Sequence, residues 1–149
     1  TRTYVVGDGG APRAATEAWE VLRRAQEAAV AAVRPGVTAA SIDDTARKVI
    51  EDAGYGGKFI HRTGHGIGLS LHEEPFIMTG NDLELEPGMA FSVEPGLYFE
   101  GEFGMRLEDI VVVTDDGAES LNKGPHELIA GTASESAGGD GNNGEEGRN

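Results

Sequence analysis

His61-Arg62-Thr63-Gly64-His65-Gly66-Ile67-Gly68-Leu69-Ser70-Leu71-His72-Glu73-Glu74-Pro75 holds three of the four histidines in this chain of 149 residues. Small residues surround His65, so the backbone there can come close to a ligand or an ion. Imidazole is the commonest metal ligand and exchanges protons near neutral pH. Three histidines with three and six residues between them therefore mark a candidate metal or acid–base site. His126 lies far away, near the end of the apolar sequence. The cluster is not a zincin helix, because no histidine lies four residues after His65 or His72. The glycines at 64, 66 and 68 lack the Lys-Ser or Lys-Thr of a phosphate loop, and no Gly-x-Ser-x-Gly elbow is present.

Two later segments add carboxylates. Residues 89–94 read as a strand that puts Ser92 and Glu94 on one face and Phe91 and Val93 on the other. Residues 97–99 read as a short strand, and 106–114 as another in which Arg106 and Glu108 share a face while Leu107 points away. Carboxylates on neighbouring strands, with an imidazole from a nearby loop, suit Mn, Fe(II), Co or Zn better than a soft copper site. Each piece also has a plain structural reading. A strand glutamate is usually solvated, and an arginine two residues from a glutamate is usually a surface ion pair of about 0–1 kcal/mol. A histidine in a glycine loop is usually structural. The three segments in this order favour chemistry.

Around them the chain reads as α+β. Thr1 to Val6 looks like the end of a strand. Pro12 suits a helix start, and Ala14 to Val33 forms a helix whose buried stripe is Trp19, Leu22, Ala25, Ala29 and Val33. Arg34-Pro35-Gly36 ends it. Thr38 caps a second helix through Ile42, Ala46, Val49 and Ile50, which Gly54 terminates. Thr114-Asp115-Asp116-Gly117 is a hairpin turn before a return strand at Ala118 to Leu121. Two helices followed by antiparallel strands make an α+β layout. Residues 1–130 form one domain, and 131–149 read as a disordered acidic, Gly-rich tail with too few apolar side chains to offset ordering entropy.

The net charge of −14 and pI near 4.5 argue against nucleic acid and against an anionic membrane surface as partners. No cysteine is present, which excludes a disulfide framework and a thiolate metal site and fits a cytoplasmic protein. No apolar run reaches the roughly 18 residues of a membrane span, and no signal peptide opens the chain. The first residue is Thr1 rather than Met, so further sequence is expected upstream.

The motifs His61-x-x-Gly-His-Gly-Ile-Gly-Leu-x-x-His-Glu, Ser92-Val-Glu-Pro-Gly-Leu-Tyr and Arg106-Leu-Glu-Asp together resemble the pita-bread metallopeptidases, in their Xaa-Pro aminopeptidase and prolidase branch. The resemblance runs from Thr1 to about Ile129. It implies a pita-bread α+β fold, N-terminally truncated, with a curved antiparallel sheet covered by helices. By resemblance His65, Glu94 and Glu108 are metal ligands, with Glu108 bridging two divalent ions (Mn first; Co, Zn or Fe as alternatives). Glu94 also takes a proton from the attacking water, and His72 binds substrate and steadies the tetrahedral intermediate. His61 and Arg106 match residues of the Xaa-Pro branch. The implied reaction is hydrolysis of the peptide bond preceding proline in a proline-containing peptide by a metal-bound hydroxide. A homodimer is compatible with the resemblance. The family's two aspartate ligands precede a sequence like Thr1-Arg2-Thr3, so three of five expected ligands fall within the chain. For the chain alone the expectation is weak binding of one metal and no useful turnover. The alternatives are a non-catalytic pita-bread module that binds peptides or proteins, a methionine aminopeptidase-like enzyme and a metal-free amidinohydrolase on the same fold.

Overall fold

Ala-rich sequence after Pro12 has high helix propensity. In a computed structural model describing residues 1–7 and 9–131, it forms helix α1 (Arg13–Ala32). Its apolar stripe is buried as the 3.6-residue period requires, with Trp19, Leu22, Ala25 and Ala29 almost wholly inside. Helix α2 (Ala39–Asp52) starts at Thr38, whose side chain accepts a hydrogen bond from the Ser41 N–H at 3.2 Å. It ends at Gly54, which takes a φ of +84° and donates its N–H to the Glu51 carbonyl at 2.8 Å. The two helices pack on each other, and Ile42, Ala46 and Ile50 join the α1 stripe in the core. No helix among the described residues is long and apolar enough to cross a membrane.

The strands are β1 (Tyr4–Val6), β2 (Gly64–Gly66), β3 (Glu73–Ile77), β4 (Ala90–Val93), β5 (Gly96–Phe99), β6 (Phe103–Arg106), β7 (Asp109–Val113), β8 (Ala118–Ser120) and β9 (Ile129–Gly131). Five of them form an antiparallel sheet in the order β3-β2-β4-β7-β8. Strands β5 and β6 make a separate antiparallel hairpin, and β1 runs parallel to β9. The expected turn joins β7 to β8, with the Thr114 N–H on the Gly117 carbonyl at 3.0 Å. Phe91, Val93, Leu97, Leu107, Val111 and Val113 meet the helices in one core.

Two expectations need correction. The reading of 106–114 as one strand fails, because the chain changes partners at Leu107–Glu108: β6 pairs with β5, whereas β7 pairs with β4. Glu108 therefore sits in a crossing between sheets. The glycine stretch around His65, read as loop, contains β2, which lies between β3 and β4 in the main sheet. Strands β3 and β9, and all of β6 but Arg106, also went unread. Of the expected tail, Gly131 closes β9 and residues 132–149 lie outside the described residues.

Candidate active site

Strand β2 is buried at all three residues. A Cβ at position 64 would fall on the Ser92 carbonyl, 2.8 Å from its carbon. A Cβ at 66 would fall on the Glu74 carbonyl and 2.8 Å from the Glu73 oxygen. Glycine at both positions is what lets β2 slot between its neighbours, and the slot aims His65. The His65 N–H donates to Ser92 Oγ at 3.0 Å, and that hydroxyl donates to Glu94 Oε1 at 3.1 Å.

His65 Nδ1 lies 3.0 Å from the Gly66 carbonyl oxygen, which can only accept, so Nδ1 carries the proton. Its Nε2 stands 3.3 Å from Glu94 Oε1. In the neutral ring this sets a nitrogen lone pair against a carboxylate oxygen, a pairing that a proton or a metal ion between them would satisfy. The imidazole–carboxylate pair thus has the donor chemistry and tautomer of a half-built site for a divalent metal. The His72 ring stands edge-on to His65, with centroids 4.4 Å apart at 87°.

Arg106 Nε lies 3.6 Å from Glu94 Oε2 and 3.9 Å from Glu108 Oε2. It is buried and makes no hydrogen bond among the described residues. Glu108 accepts a hydrogen bond from the Thr1 hydroxyl and lies 3.3 Å from the Thr1 backbone nitrogen. Burial works against its charge, whereas the Thr1 hydroxyl and the Arg106 guanidinium favour it. Glu108 is thus engaged by Thr1 and Arg106, while Glu94 lies between Arg106 and His65. Among the described residues no group of three or more His, Cys, Asp or Glu side chains is gathered to hold a metal. The structure brings two of the three expected ligands into direct contact and leaves Glu108 one arginine away.

A cavity of about 510 Å³ opens beside these groups, lined by His61, Arg62, Met78, Glu94 and Arg106. His61 Nδ1 donates to the Arg62 carbonyl at 2.7 Å, so its Nε2 accepts the Tyr98 hydroxyl proton at 3.1 Å. Gly96 makes room for this contact, since a Cβ there would lie 2.7 Å from the Tyr98 oxygen and 2.9 Å from His61 Nε2. His126 is elsewhere, bonded to Asp109 Oδ2 at 2.7 Å.

Sequence reasoning missed Tyr98, although it ends a quoted motif, and it missed Asp43. Asp43 is fully buried and accepts hydrogen bonds from Arg47, Thr63 and Thr79. Its signal was faint: Asp43 and Arg47 are four apart on a helix, the spacing of an ordinary surface pair. Burial opposes the Asp43 charge, but the bonds from Arg47 and the two threonines lower its pKa below the usual aspartate value.

Comparison with known proteins places the chain in a family. The profile of metallopeptidase family M24 matches residues 1–115. The chain belongs to this family. It is 58% identical over 129 residues to the probable dipeptidase PepE of Mycobacterium tuberculosis, covering 87% of this chain and 34% of that protein. It is 43% identical to the Xaa-Pro dipeptidase of Pyrococcus furiosus, over 87% of this chain and 36% of that one. The crystal structure of dipeptidase PepE from Mycobacterium ulcerans superposes with a TM-score of 0.83 at 58% identity, over 87% of this chain and 34% of that one. The prolidase of Thermococcus sibiricus gives 0.83 at 45% identity, over 87% and 35%. The fold is therefore the expected α+β pita-bread fold, and the chain spans about a third of the length of the curated relatives it matches. Membership brings divalent metal ions as the family's cofactor, and the His65–Glu94 pair fits one.

Proposed function

We propose that this segment carries half of a metal-dependent site that hydrolyses dipeptides at the bond preceding proline. The observation that carries the reading is His65 Nε2 facing Glu94 Oε1 at 3.3 Å, with the imidazole tautomer fixed by Gly66. Relatives named dipeptidase or Xaa-Pro dipeptidase, at 43–58% identity, support the substrate class.

His65, Glu94 and Glu108 would hold the metal, with Mn(II) first and Co, Zn or Fe as alternatives. Bound there, a divalent ion supplies Lewis acidity, polarising a carbonyl and lowering the pKa of water from 15.7 to about 7. The Glu94 carboxylate takes a proton from the attacking water and returns it to the proline nitrogen as the C–N bond breaks. His72, edge-on to His65, donates its ring N–H to the carbonyl oxygen as that oxygen gains charge. Arg106 at the cavity offers a guanidinium to the dipeptide carboxylate, and His61, fixed by Tyr98, packs beside the proline ring. A chain with these three ligands alone would hold one ion weakly and show no useful turnover, activity needing the further ligands that the resemblance implies.

Calorimetry with Mn(II) should show one weak site that His65→Ala abolishes. Protein of native length should cleave Gly-Pro with Mn(II) well ahead of Gly-Leu, and EDTA should stop it. Equal rates on both dipeptides would refute the proline reading, and undiminished cleavage in EDTA the metal reading. Tight binding without turnover at native length would favour a peptide-binding module.

A further inference from the structure

Helix α2 reaches the site through one buried carboxylate. Asp43 Oδ1 accepts both the N–H and the hydroxyl of Thr63, at 3.0 and 2.6 Å. Its Oδ2 accepts both the N–H and the hydroxyl of Thr79, at 3.0 and 2.8 Å. Arg47 closes the group, with Nε on Asp43 Oδ2 at 2.5 Å and Nη2 on the His61 carbonyl at 2.6 Å. The Arg47 guanidinium also covers the Phe59 ring at 4.4 Å. A charge this buried is stable only when so bonded.

What Asp43 holds is the start of the strand that carries His65. Thr63 lies one residue before Gly64, and its carbonyl accepts the Glu94 N–H at 2.7 Å. One threonine, clamped by Asp43 at its N–H and hydroxyl, is thus tied at its carbonyl to one candidate ligand and is two residues from the other. The Thr79 arm differs: it fastens the turn after β3 and touches neither ligand.

We infer that Asp43 is a positioning residue, acting through Thr63 to set His65 and Glu94 at the spacing a metal ion needs. The inference deepens the proposed metal site and rests on that reading. Asp43 does not line the cavity; besides Thr63 it reaches the cavity wall through Arg47, whose Nη2 holds the His61 carbonyl, so Thr63→Val isolates the route through β2.

The test compares three variants of the chain at a temperature where each is folded by circular dichroism. Thr63→Val and Thr79→Val each remove one hydroxyl from Asp43, on opposite arms, while Asp43→Asn changes both arms. Ring ¹⁵N shifts of His65, with those of His126 as internal reference, report the imidazole without metal, and Mn(II) titration reports the pair. Partners bonded directly to a ligand change metal affinity by roughly 10–100-fold when removed, and Asp43, one residue further out, is expected at the lower end of that range. Asp43→Asn and Thr63→Val should move the His65 shifts and weaken Mn(II) binding at least tenfold, whereas Thr79→Val should leave both unchanged. Equal effects of the two threonine variants, or unmoved His65 shifts in Thr63→Val, would overturn the inference and leave Asp43 a general fold residue. Thr63→Val stays informative if Asp43→Asn does not fold. A wild-type chain that binds no Mn(II) would count against the metal reading, and the His65 shifts would still decide for or against Asp43.

Discussion

Gly64→Ala tests whether the active-site strand exists because of its glycines. The added methyl would fall on the Ser92 carbonyl, with Ser92 C at 2.8 Å and Ser92 Oγ at 3.2 Å. These are mostly backbone atoms in the middle of a sheet, so no rotamer change relieves the clash. Packed carbon atoms sit about 3.5–4.0 Å apart, so β2 and β4 must part by roughly 1 Å. The hydrogen bonds that cross this seam include three from backbone N–H groups: Glu94 N–H to the Thr63 carbonyl at 2.7 Å, His65 N–H to Ser92 Oγ at 3.0 Å, and Ile67 N–H to the Ala90 carbonyl at 2.9 Å. Stretched by that much, each passes out of hydrogen-bond range. At about 1 kcal/mol net per bond the loss is about 3 kcal/mol. That is a large share of a typical stability of about 5–15 kcal/mol. For a chain of this size it lowers the melting temperature by about 10 °C. Urea and thermal unfolding followed by circular dichroism measure it, with Gly57→Ala as the control, since a Cβ there meets nothing within 4 Å. A Gly64→Ala midpoint within about 1 kcal/mol of wild type would refute the claim that close approach of β2 to β4 requires glycine.

Acid should reveal Asp43. Its folded pKa lies below the unfolded value of about 3.9, so its stabilisation is present above that pH and is lost as pH falls through the folded pKa. Urea midpoints should therefore fall more steeply below about pH 4 in wild type than in Asp43→Asn, and parallel profiles would contradict the assignment. Thr38→Ala, which removes the α2 cap, should cost about 1 kcal/mol in chemical unfolding, and a change below a few tenths would deny the cap an energetic role. Tyr98→Phe should shift the His61 ring nitrogens, since Nε2 loses the proton it accepts, while the far-ultraviolet circular dichroism stays as in wild type. An unmoved His61 spectrum would show that this bond does not form in solution.

The helices were legible because their signals are local. A 3.6-residue apolar stripe, a Thr cap and a Gly stop each act within a few residues, and packing confirmed all three. Strand β2 was not legible, because glycine has no side chain to alternate and its role is set by strands far along the chain. The break between β6 and β7 was hidden for the opposite reason. Met105, Leu107, Asp109, Val111 and Val113 are all buried, so inward alternation runs straight through the change of partner. Asp43 escaped because sequence spacing says which residues share a helix face but not that a polar one turns inward to hold another element. The candidate site residues were readable as residue types, and the resemblance supplied the roles proposed for them, whereas the stand-off of Glu108 behind Arg106 depends on distances alone.

The hidden break explains where the carboxylates sit. In the main sheet Val93 is paired with Asp109, and in the hairpin Gly96 is paired with Arg106. Between those two rungs lie Glu94 and Pro95 on one strand and Leu107 and Glu108 on the other. Both chains leave one sheet and enter the next at the same level, joined there by the Leu107 N–H on the Pro95 carbonyl at 3.3 Å. Inside a continuous ladder, alternation would send every second side chain into the core or out to solvent. At a shared interruption Leu107 still fills the core, while Glu94 and Glu108 are released from the ladder beside a cavity. Arg106, the last residue of the hairpin strand, reaches the same place from one rung away. The gap in ladder pairing leaves none of its N–H groups idle, since those of Glu94, Leu107 and Glu108 find the Thr63, Pro95 and Thr1 carbonyls, and it brings two carboxylates to one arginine within 3.6 and 3.9 Å of its Nε, next to the histidine on β2.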